Sequence, residues 1–491
     1  MRKLWCALVF LGFALPAAGQ NVSAVSGPTL SLEDALSLAK ANNPTYLQSA
    51  NERRRADAGL RVARGNFLPG ANTNFGTGYR QGKQQFFDGV AFGSNSDILS
   101  SSWGLNINAN LSASYFGSLN AAKSTVLASN FDITTADQNL RYNVTSQYFL
   151  VLEDQAQTLL QDTLVVLNQL QLDLARAKAG VGSATTLDVR RAEVALGTQQ
   201  VAALRARNTA VVDLLRLFQM IGVPPQLDAR LTTIPPLAEP KFDLKQLVAM
   251  AMQSNPSIAA LVARIDVAKQ TYQGQRGQYL PSLSFGASIG GSSQQYTDNN
   301  YLVTQAQQSL ASSQSQCFLE DSLRRGAGLS GIPTCGSLVL TPAQAQQLRA
   351  SNQNFPFKFV SNPYTLSLGL SLPIFNGFQR EQAIESSAAD QSDAQYNLKA
   401  AQLKLVADVQ AAHVTLIADY QALKLQESNS VAAREALQLA EERYRVGLNS
   451  LVDLQQARSD YETAEAGRIN AVFEFHRAFA ALESSVGRSL R

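Results

Sequence analysis

Residues 103–115 read WGLNINANLSASY, and apolar and polar side chains alternate along the whole stretch. The odd-numbered positions are apolar, with Trp103 and Tyr115 at the two ends. The even-numbered positions carry only glycine, asparagine and serine. A period of two residues is that of a β-strand, whose side chains point alternately to opposite faces. The stretch therefore predicts a strand with one apolar face and one uncharged polar face.

The same alternation predicts three further strands, at about residues 67–79, 279–291 and 363–375. At ~3.4 Å per residue, the stretch from Trp103 to Tyr115 is ~40 Å long. Tilted by ~45°, it spans ~28 Å, close to the ~25 Å apolar band of membrane strands. A soluble sandwich is the alternative, but a sandwich usually carries charges on its wet face, and these polar faces have almost none. We expect an aromatic girdle at the lipid boundary that consists of Trp103, Tyr115, Tyr79, Tyr279 and Tyr364.

The chain also contains a long internal repeat, which guides its domain organisation. A first set of residues recurs 212 positions later: Leu32, Ala39, Asn43, Pro44, Gly65, Leu68 and Pro69 return as Leu244, Ala251, Asn255, Pro256, Gly277, Leu280 and Pro281. A second set recurs 265 positions later: Val181, Gly182, Asp188, Ala192 and Gly222 return as Val446, Gly447, Asp453, Ala457 and Gly487. The change of spacing indicates an insertion in the second copy.

The repeat divides the chain into four segments: a signal peptide at 1–19, a first repeat at 20–222, a linker at 223–241 and a second repeat at 242–491. The signal peptide is indicated by Arg2 and Lys3 before a short apolar run and a small-residue cleavage site. The linker is rich in proline, which favours a semi-rigid connector. The insertion, at about 292–361, is expected to be a long external loop in which Thr341 caps a short helix.

Composition limits the chemistry and the partners. Cys317 and Cys335 both lie in the insertion and are compatible with one disulfide in an exported protein, or with two free thiols. The formal net charge is +3 without a basic cluster, so no nucleic-acid partner is expected. After the signal, no apolar stretch approaches the ~20 residues of a membrane helix, so a membrane role would depend on strands.

The rest of each copy is predicted to be long helix. Residues 121–220 contain no proline and could hold helices of ~60 and ~35 residues. The turn between the two long helices is repeated, as GVGSATTLD at 180–188 and RVGLNSLVD at 445–453. Asp188 and Asp453 then fall in the first turn of each return helix. Each carboxylate could simply complement the helix dipole, or several copies could meet at an axis and form a charged ring that selects cations.

No catalytic, cofactor or metal site is predicted. The two histidines, His413 and His476, lie in separate helical stretches, where packing or solvation is the usual role. The sequence has no phosphate-binding glycine loop, no H-E-x-x-H and no C-x-x-C motif. We therefore expect a protein that is not an enzyme.

The chain resembles TolC-like outer-membrane efflux and secretion channels over nearly its whole mature length. The resemblance rests on four motifs: the L-x-x-A-L-x-x-A-x-x-N-N-P stretch at 32–44, LPSL at 280–283, LSLPIFNG at 370–377 and YRVGL at 444–448. It implies a homotrimer in which each chain contributes four strands to a shared 12-stranded β-barrel. The long helices would continue this barrel as a periplasmic α-helical coiled-coil barrel.

The resemblance also implies roles for residues of the repeated turns. Asp453 stands where the family has an acidic constriction ring, with Asp188 as its counterpart in the first copy, while Gln456 replaces a second acid. The tip that docks a periplasmic adaptor corresponds to Val446, Gly447 and Leu448, with a looser match at Val181 and Gly182. Tyr444 and Asn449 are expected to pack in the gate region, where Asn449 replaces a basic latch residue of some members.

The expected function is a passive exit duct in the outer membrane that extends into the periplasm. It would serve a tripartite efflux pump or a type I secretion system, through an adaptor and an inner-membrane transporter. A periplasmic coiled-coil scaffold without a pore is the alternative, and an exported enzyme is a third possibility that the missing site disfavours.

Overall fold

The computed structural model describes residues 29–87, 90–93 and 96–490, with no side-chain description between residues 84 and 95. The predicted signal peptide at 1–19 lies outside the described residues. The chain forms two compact units. We call them the helical unit (residues 1–58, 123–268 and 390–491) and the sheet unit (residues 59–122 and 269–389).

The described elements, in chain order, are β1 (Thr29–Leu30), α1 (Leu32–Asn42), α2 (Pro44–Gly65), β2 (Gly70–Arg80), β3 (Gln84–Phe87), β4 (Val90–Gly93), β5 (Ile98–Leu111), α3 (Ser114–Gly180), α4 (Thr186–Ile221), β6 (Arg230–Leu231), α5 (Leu244–Ser254), α6 (Pro256–Arg276), β7 (Ser282–Tyr296), α7 (Tyr301–Gly326), α8 (Pro342–Ser351), β8 (Val360–Ser361), β9 (Thr365–Ser371), α9 (Gln379–Arg445) and α10 (Leu451–Val486). None of the helices in the described part of the chain is both long and apolar enough to cross a membrane.

Helix boundaries follow local chemistry. The Ser31 hydroxyl accepts the Asp34 backbone N–H at 3.1 Å and caps α1. Helix α1 stops at Asn42 and α2 begins at Pro44, since a residue before proline is pushed away from helical angles and Asn43 is extended. The same break separates α5 from α6 at Pro256.

The long helices are also as predicted. Helix α3 has 67 residues and α4 has 36, close to the expected ~60 and ~35. Helices α9 and α10 have the same two lengths, 67 and 36 residues. Buried Leu, Val, Phe and Ala side chains from these helices form two main apolar clusters, centred on Phe149 and Phe218 in one and on Phe475 and Leu482 in the other.

Part of the predicted linker is tied to the helical core. Strand β6, within residues 223–241, pairs in parallel with β1. The buried Tyr148 hydroxyl donates to the Leu30 carbonyl oxygen at 2.9 Å and accepts the backbone N–H groups of Thr232 and Thr233 at 3.1 and 3.0 Å. One phenol thus satisfies three backbone groups, which ties β1 and the residues after β6 to helix α3.

The sheet unit contains a sheet in which β2, β5, β7 and β9 are neighbours in that order, all antiparallel. All four strands lie where the alternation predicted them, but their ends differ. Tyr115 belongs to helix α3, Tyr279 to a short 3-10 turn, and Tyr364 precedes β9. Placing these three tyrosines inside strands was therefore wrong.

Close packing explains why β5 stops before Tyr115. A Cβ atom built on Gly117 would lie 2.4 Å from the Gly274 Cα atom. One built on Gly277 would lie 2.9 Å from the Ser114 backbone nitrogen. The first turn of α3 therefore sits directly on α6 and the turn after it, a tertiary contact that overrides local alternation.

The insertion is more ordered than the predicted loop at 292–361. Strand β7 continues to Tyr296, and α7 adds a helix of 26 residues that lacks a clear apolar stripe and so gave no sequence signal. The short helix predicted after Thr341 is confirmed as α8, whose cap includes Gln344. Cys317 and Cys335 form a disulfide with their Cα atoms 5.6 Å apart.

Candidate functional site

One face of the sheet is apolar along most of its length. Its register aligns odd-numbered residues of β2, β5 and β7 with even-numbered residues of β9, for example Ala109 beside Phe285 and Phe285 beside Leu368. The adjacent row joins Leu111 and Leu283, and its side chains are also exposed. Leu368 is 74% exposed, although it is a large aliphatic residue. A wide uncovered apolar face is unusual for a surface in water and indicates contact with lipid or another protein.

The opposite face is polar and uncharged over most of its length. Asn72 pairs with Asn106, which in turn pairs with Ser288. The Asn106 side-chain amide donates to the Asn74 Oδ1 atom at 3.2 Å, which links neighbouring strands across this face. Within the described strands β2, β5, β7 and β9, the one charged side chain on this face is Arg80, at the end of β2. Such a face suits a water-filled lumen.

The first helical turn, between α3 and α4, is built around Asp188. Gly182 has a φ of 78°, which favours glycine and allows the chain to reverse. The Thr185 hydroxyl accepts the Asp188 backbone N–H at 3.2 Å. In return, the Asp188 carboxylate accepts the Thr185 N–H at 3.0 Å and its hydroxyl at 2.7 Å. These hydrogen bonds lower the pKa of Asp188, the side-chain bond contributing most.

The second turn, between α9 and α10, has the same structure. Gly447 has a φ of 82°, and the Ser450 hydroxyl accepts the Asp453 N–H at 3.2 Å. The Asp453 carboxylate accepts the Ser450 N–H at 3.0 Å and its hydroxyl at 2.8 Å. Both aspartates therefore close a reciprocal helix cap. The Asp453 side chain is nevertheless exposed, so its charge also reaches solvent.

Exposed aliphatic residues surround the two turns. Val181 is 80% exposed and Leu448 is 77% exposed, and Val446 is similarly uncovered. Asn449 is half-buried, and Gln456 is exposed and donates to the Asp460 carboxylate at 2.8 Å. The turns thus combine an apolar surface with nearby carboxylates.

Two basic residues near the turns escaped the sequence analysis. The Lys178 ammonium donates to the Tyr444 carbonyl oxygen at 2.5 Å and lies 4.0 Å from the centroid of the Tyr444 ring. Arg458 is only 7% exposed and donates to the Asn168 amide oxygen and to the Glu441 carboxylate, each at 3.2 Å. Burial lowers the pKa of Arg458, which the Glu441 carboxylate partly offsets. The only sequence signal for Lys178 is a cation in the last turn of a helix.

Tyr444 is buried beneath Lys178. Burial raises the pKa of the Tyr444 phenol, and the negative charge of Asp188 raises it further. Tyr444 lies near the end of α9, whereas Lys178 lies in the last turn of α3 and Asp188 in the first turn of α4. The structure therefore brings together the predicted gate-region residue Tyr444 and the first repeated turn.

Comparisons with known proteins agree on one family. The family model described as outer membrane efflux protein matches residues 35–223 and 339–488. The pyoverdine export outer membrane protein OpmQ of Pseudomonas putida is 24% identical over 481 residues, which cover 93% of this chain and 88% of that protein.

Solved channel structures share the fold. The CmeC outer membrane channel of Campylobacter jejuni has a TM-score of 0.70 at 15% identity, covering 93% of this chain and 85% of that chain. The outer membrane protein VceC of Vibrio cholerae has a TM-score of 0.68 at 14% identity, covering 94% of this chain and 97% of that chain.

Proposed function

Because the chain belongs to the outer membrane efflux protein family, we propose that it is the exit duct of a tripartite efflux pump or a type I secretion system. The family consists of TolC-like outer-membrane channels, not of enzymes. In this proposal the duct is passive, and an inner-membrane transporter supplies the energy through a periplasmic adaptor. That transporter determines the cargo.

The two-faced sheet carries the proposal. Its apolar face is uncovered, and its other face has the small uncharged side chains expected of a lumen. Strands β2 and β9 each have one neighbour among the described strands, so both edges of the sheet are open. Open edges need a partner, and membrane sheets satisfy this need by closing into barrels. Three chains of four strands would close one 12-stranded barrel.

The matching helices support two structural repeats. Helices α3 and α9 have 67 residues each, and α4 and α10 have 36 each. Helices α3 and α9 are each ~100 Å long at ~1.5 Å per residue, too long for a compact globule. In a trimer they would pack side by side as an α-helical barrel in the periplasm.

The decisive experiment concerns assembly. The purified protein should leave the outer membrane only in detergent and should have the native mass of a trimer. A monomer that stays soluble in plain buffer would contradict the duct and favour the pore-free scaffold.

We also propose that Asp453 forms a charged constriction, with Asp188 beside it and Gln456 in place of an inner acid. The cap geometry allows a sharp test. Asp453→Asn removes the charge but keeps an oxygen that can accept the Ser450 N–H, whereas Ser450→Ala weakens the cap and keeps the charge. Asp453→Asn should lower cation preference in planar bilayers, and Ser450→Ala should not. Equal current–voltage curves for Asp453→Asn and the unmodified channel would refute the constriction.

The exposed tip is proposed to dock the adaptor. Val446, Gly447 and Leu448 would form the main contact, with Val181 and Gly182 in the equivalent turn. Leu448→Asp should weaken adaptor binding while trimers and basal conductance persist. Unchanged adaptor affinity in this variant would place the docking surface elsewhere.

A further inference from the structure

Part of the insertion folds back over the apolar face of the sheet. Residues 355–359 read Phe-Pro-Phe-Lys-Phe. Phe357 stacks on Phe75 with ring centroids 6.4 Å apart, and Phe359 meets the same ring edge-on at 6.1 Å. We call residues 355–359 the aromatic clip. It lies toward the end of the sheet opposite to the point where β5 and β9 lead into helices α3 and α9.

Three different contacts hold the clip in place. Strand β8 follows it directly and pairs with Gly291 and Ser292 of β7. The Ser101 hydroxyl donates to the Pro356 carbonyl oxygen. A Cβ atom on Gly291 would lie 3.1 Å from the Phe359 Cβ atom and 2.8 Å from the Trp103 indole nitrogen. Glycine at this position therefore makes the room that the clip needs.

The clip lies where the apolar face of the sheet changes sharply in polarity. Leu105 and Ile289 form an aliphatic row of the sheet. The next row, farther from helices α3 and α9, contains Phe75 and Trp103. The row beyond contains Ser101, whose hydroxyl is 2.8 Å from that of Ser293. Rows on one face are ~7 Å apart, so the face changes from aliphatic through aromatic to hydroxyl over a short distance. Aromatic residues concentrate at this kind of boundary in membrane proteins.

The outer surface of the clip is amphipathic. Phe357 is 73% exposed, although it is apolar. Lys358 follows it in the chain and is also exposed. A lysine beside apolar side chains can place its stem along acyl chains and its ammonium at the phosphate level. The clip is also continuous with the apolar face of the sheet through the Phe75 contacts.

We propose that the aromatic clip is a lipid-contact surface that binds the phosphorylated glycolipid of the outer leaflet, with Phe357 at the acyl boundary and Lys358 at a lipid phosphate. This inference rests on the proposed function, because it requires the apolar face of the sheet to contact lipid. It assigns a role to part of the insertion, namely to fix how far the sheet enters the outer leaflet.

Trp103 offers a built-in depth probe. The full sequence has two tryptophans, and the other, Trp5, lies in the proposed signal peptide. The mature protein would be reconstituted in vesicles with bromine atoms either near the headgroup or at mid-chain. Shallow bromines should quench Trp103 more strongly than deep ones. Phe357→Ser should increase quenching, because the clip no longer covers this region, whereas the exposed Leu323→Ser in α7 should not.

The outcomes separate the inference from the proposed function. Stronger quenching by deep bromines overturns the inference and leaves the membrane channel intact. An absence of quenching by any lipid, in a protein that needs no detergent, overturns the proposed function itself. Interchain disulfides formed by Phe357→Cys would also overturn the inference, because a second copy would then cover the clip.

The phosphate contact is tested separately with purified lipid A. Native mass spectrometry of the trimer would count bound lipid A at rising concentration. Lys358→Gln should weaken binding about fivefold, since one lysine near a charged surface contributes ~1 kcal/mol and ~1.4 kcal/mol is tenfold. Lys358→Arg should retain binding. Equal affinity for Lys358→Gln and the unmodified protein, or equal losses with a neutral phospholipid as probe, would overturn this part.

Discussion

Lys178, in the last turn of α3, contacts Tyr444 near the end of α9, so its replacement tests whether this contact keeps the proposed constriction closed. Its ammonium donates to the Tyr444 carbonyl oxygen at 2.5 Å and lies 4.0 Å from the ring centroid. Lys178→Met keeps a long flexible side chain and removes the charge. We expect the variant to favour separation of the two helical hairpins, α3 with α4 and α9 with α10.

The magnitude follows from the two contacts. A hydrogen bond from a charged donor contributes ~1.5–3 kcal/mol, and a cation over an aromatic ring adds ~0.5–1 kcal/mol where it is partly exposed. Lys178 is half-buried, so we take the lower part of this range, about 2–3 kcal/mol. At ~1.4 kcal/mol per tenfold change, the open-to-closed ratio should rise about 30- to 150-fold.

Single-channel recording in planar bilayers measures that ratio directly. Lys399→Met, which removes an exposed lysine from helix α9, is the matched control and should leave the ratio unchanged. A double-mutant cycle with Tyr444→Leu isolates the ring, because the backbone carbonyl remains, and should give a coupling of ~0.5–1 kcal/mol. If Lys178→Met keeps the open-to-closed ratio of the unmodified channel, the contact does not hold the gate.

Three further changes test other parts of the structure. Gly222→Ala should lower the free energy of unfolding by more than the ~1–2 kcal/mol of left-handed strain, because its φ is 81° and the new Cβ would lie 2.5 Å from a backbone oxygen. Gly182→Ala, where φ is 78° but the surrounding space is open, should lower it by the strain alone. Thermal unfolding measures both. Burial, and then the Asp213 carboxyl, raise the pKa of Asp154 to about 7. The folded state therefore retains a proton that an unfolded aspartate loses near pH ~4, so stability should fall as pH rises from about 4 to 7, and Asp154→Asn should flatten this slope in urea titrations at pH 5 and 8. Leu368→Arg should reduce membrane insertion by ~2–4 kcal/mol if this face meets the bilayer centre, measured as the folded fraction in lipid vesicles.

Much of the fold could be predicted because its signals are periodic and repeated. The alternation around Trp103 located a strand, and the Thr341 cap located a short helix, since each depends on neighbouring residues alone. Tyr115 was misplaced because the first turn of α3 packs on Gly274, a contact between residues far apart in sequence. Local pattern contains no information about such a contact.

The two turns could likewise be predicted only in part. Glycine and aspartate at matching positions predicted two reversals with Asp188 and Asp453 in the first helical turn, and the structure adds that each carboxylate closes its own helix cap. The contact of Lys178 with Tyr444 could not be predicted, because 266 residues separate the two partners. Neither residue carries a local signal for the other.

The equal helix lengths constrain how the gene can change. Deleting one residue from α3 or α9 would rotate everything beyond it by ~100° and shift its turn by ~1.5 Å against the other hairpin. Residues in contact, such as Lys178 and Tyr444, would then no longer face each other. The difference between the 212- and 265-residue spacings, 53 residues, arises between the starts of α6 and α9, within the segment that contains β7, β9 and the insertion. Natural variation in chain length should therefore accumulate in external loops, while single-residue indels in the long helices should be selected against unless both hairpins change together.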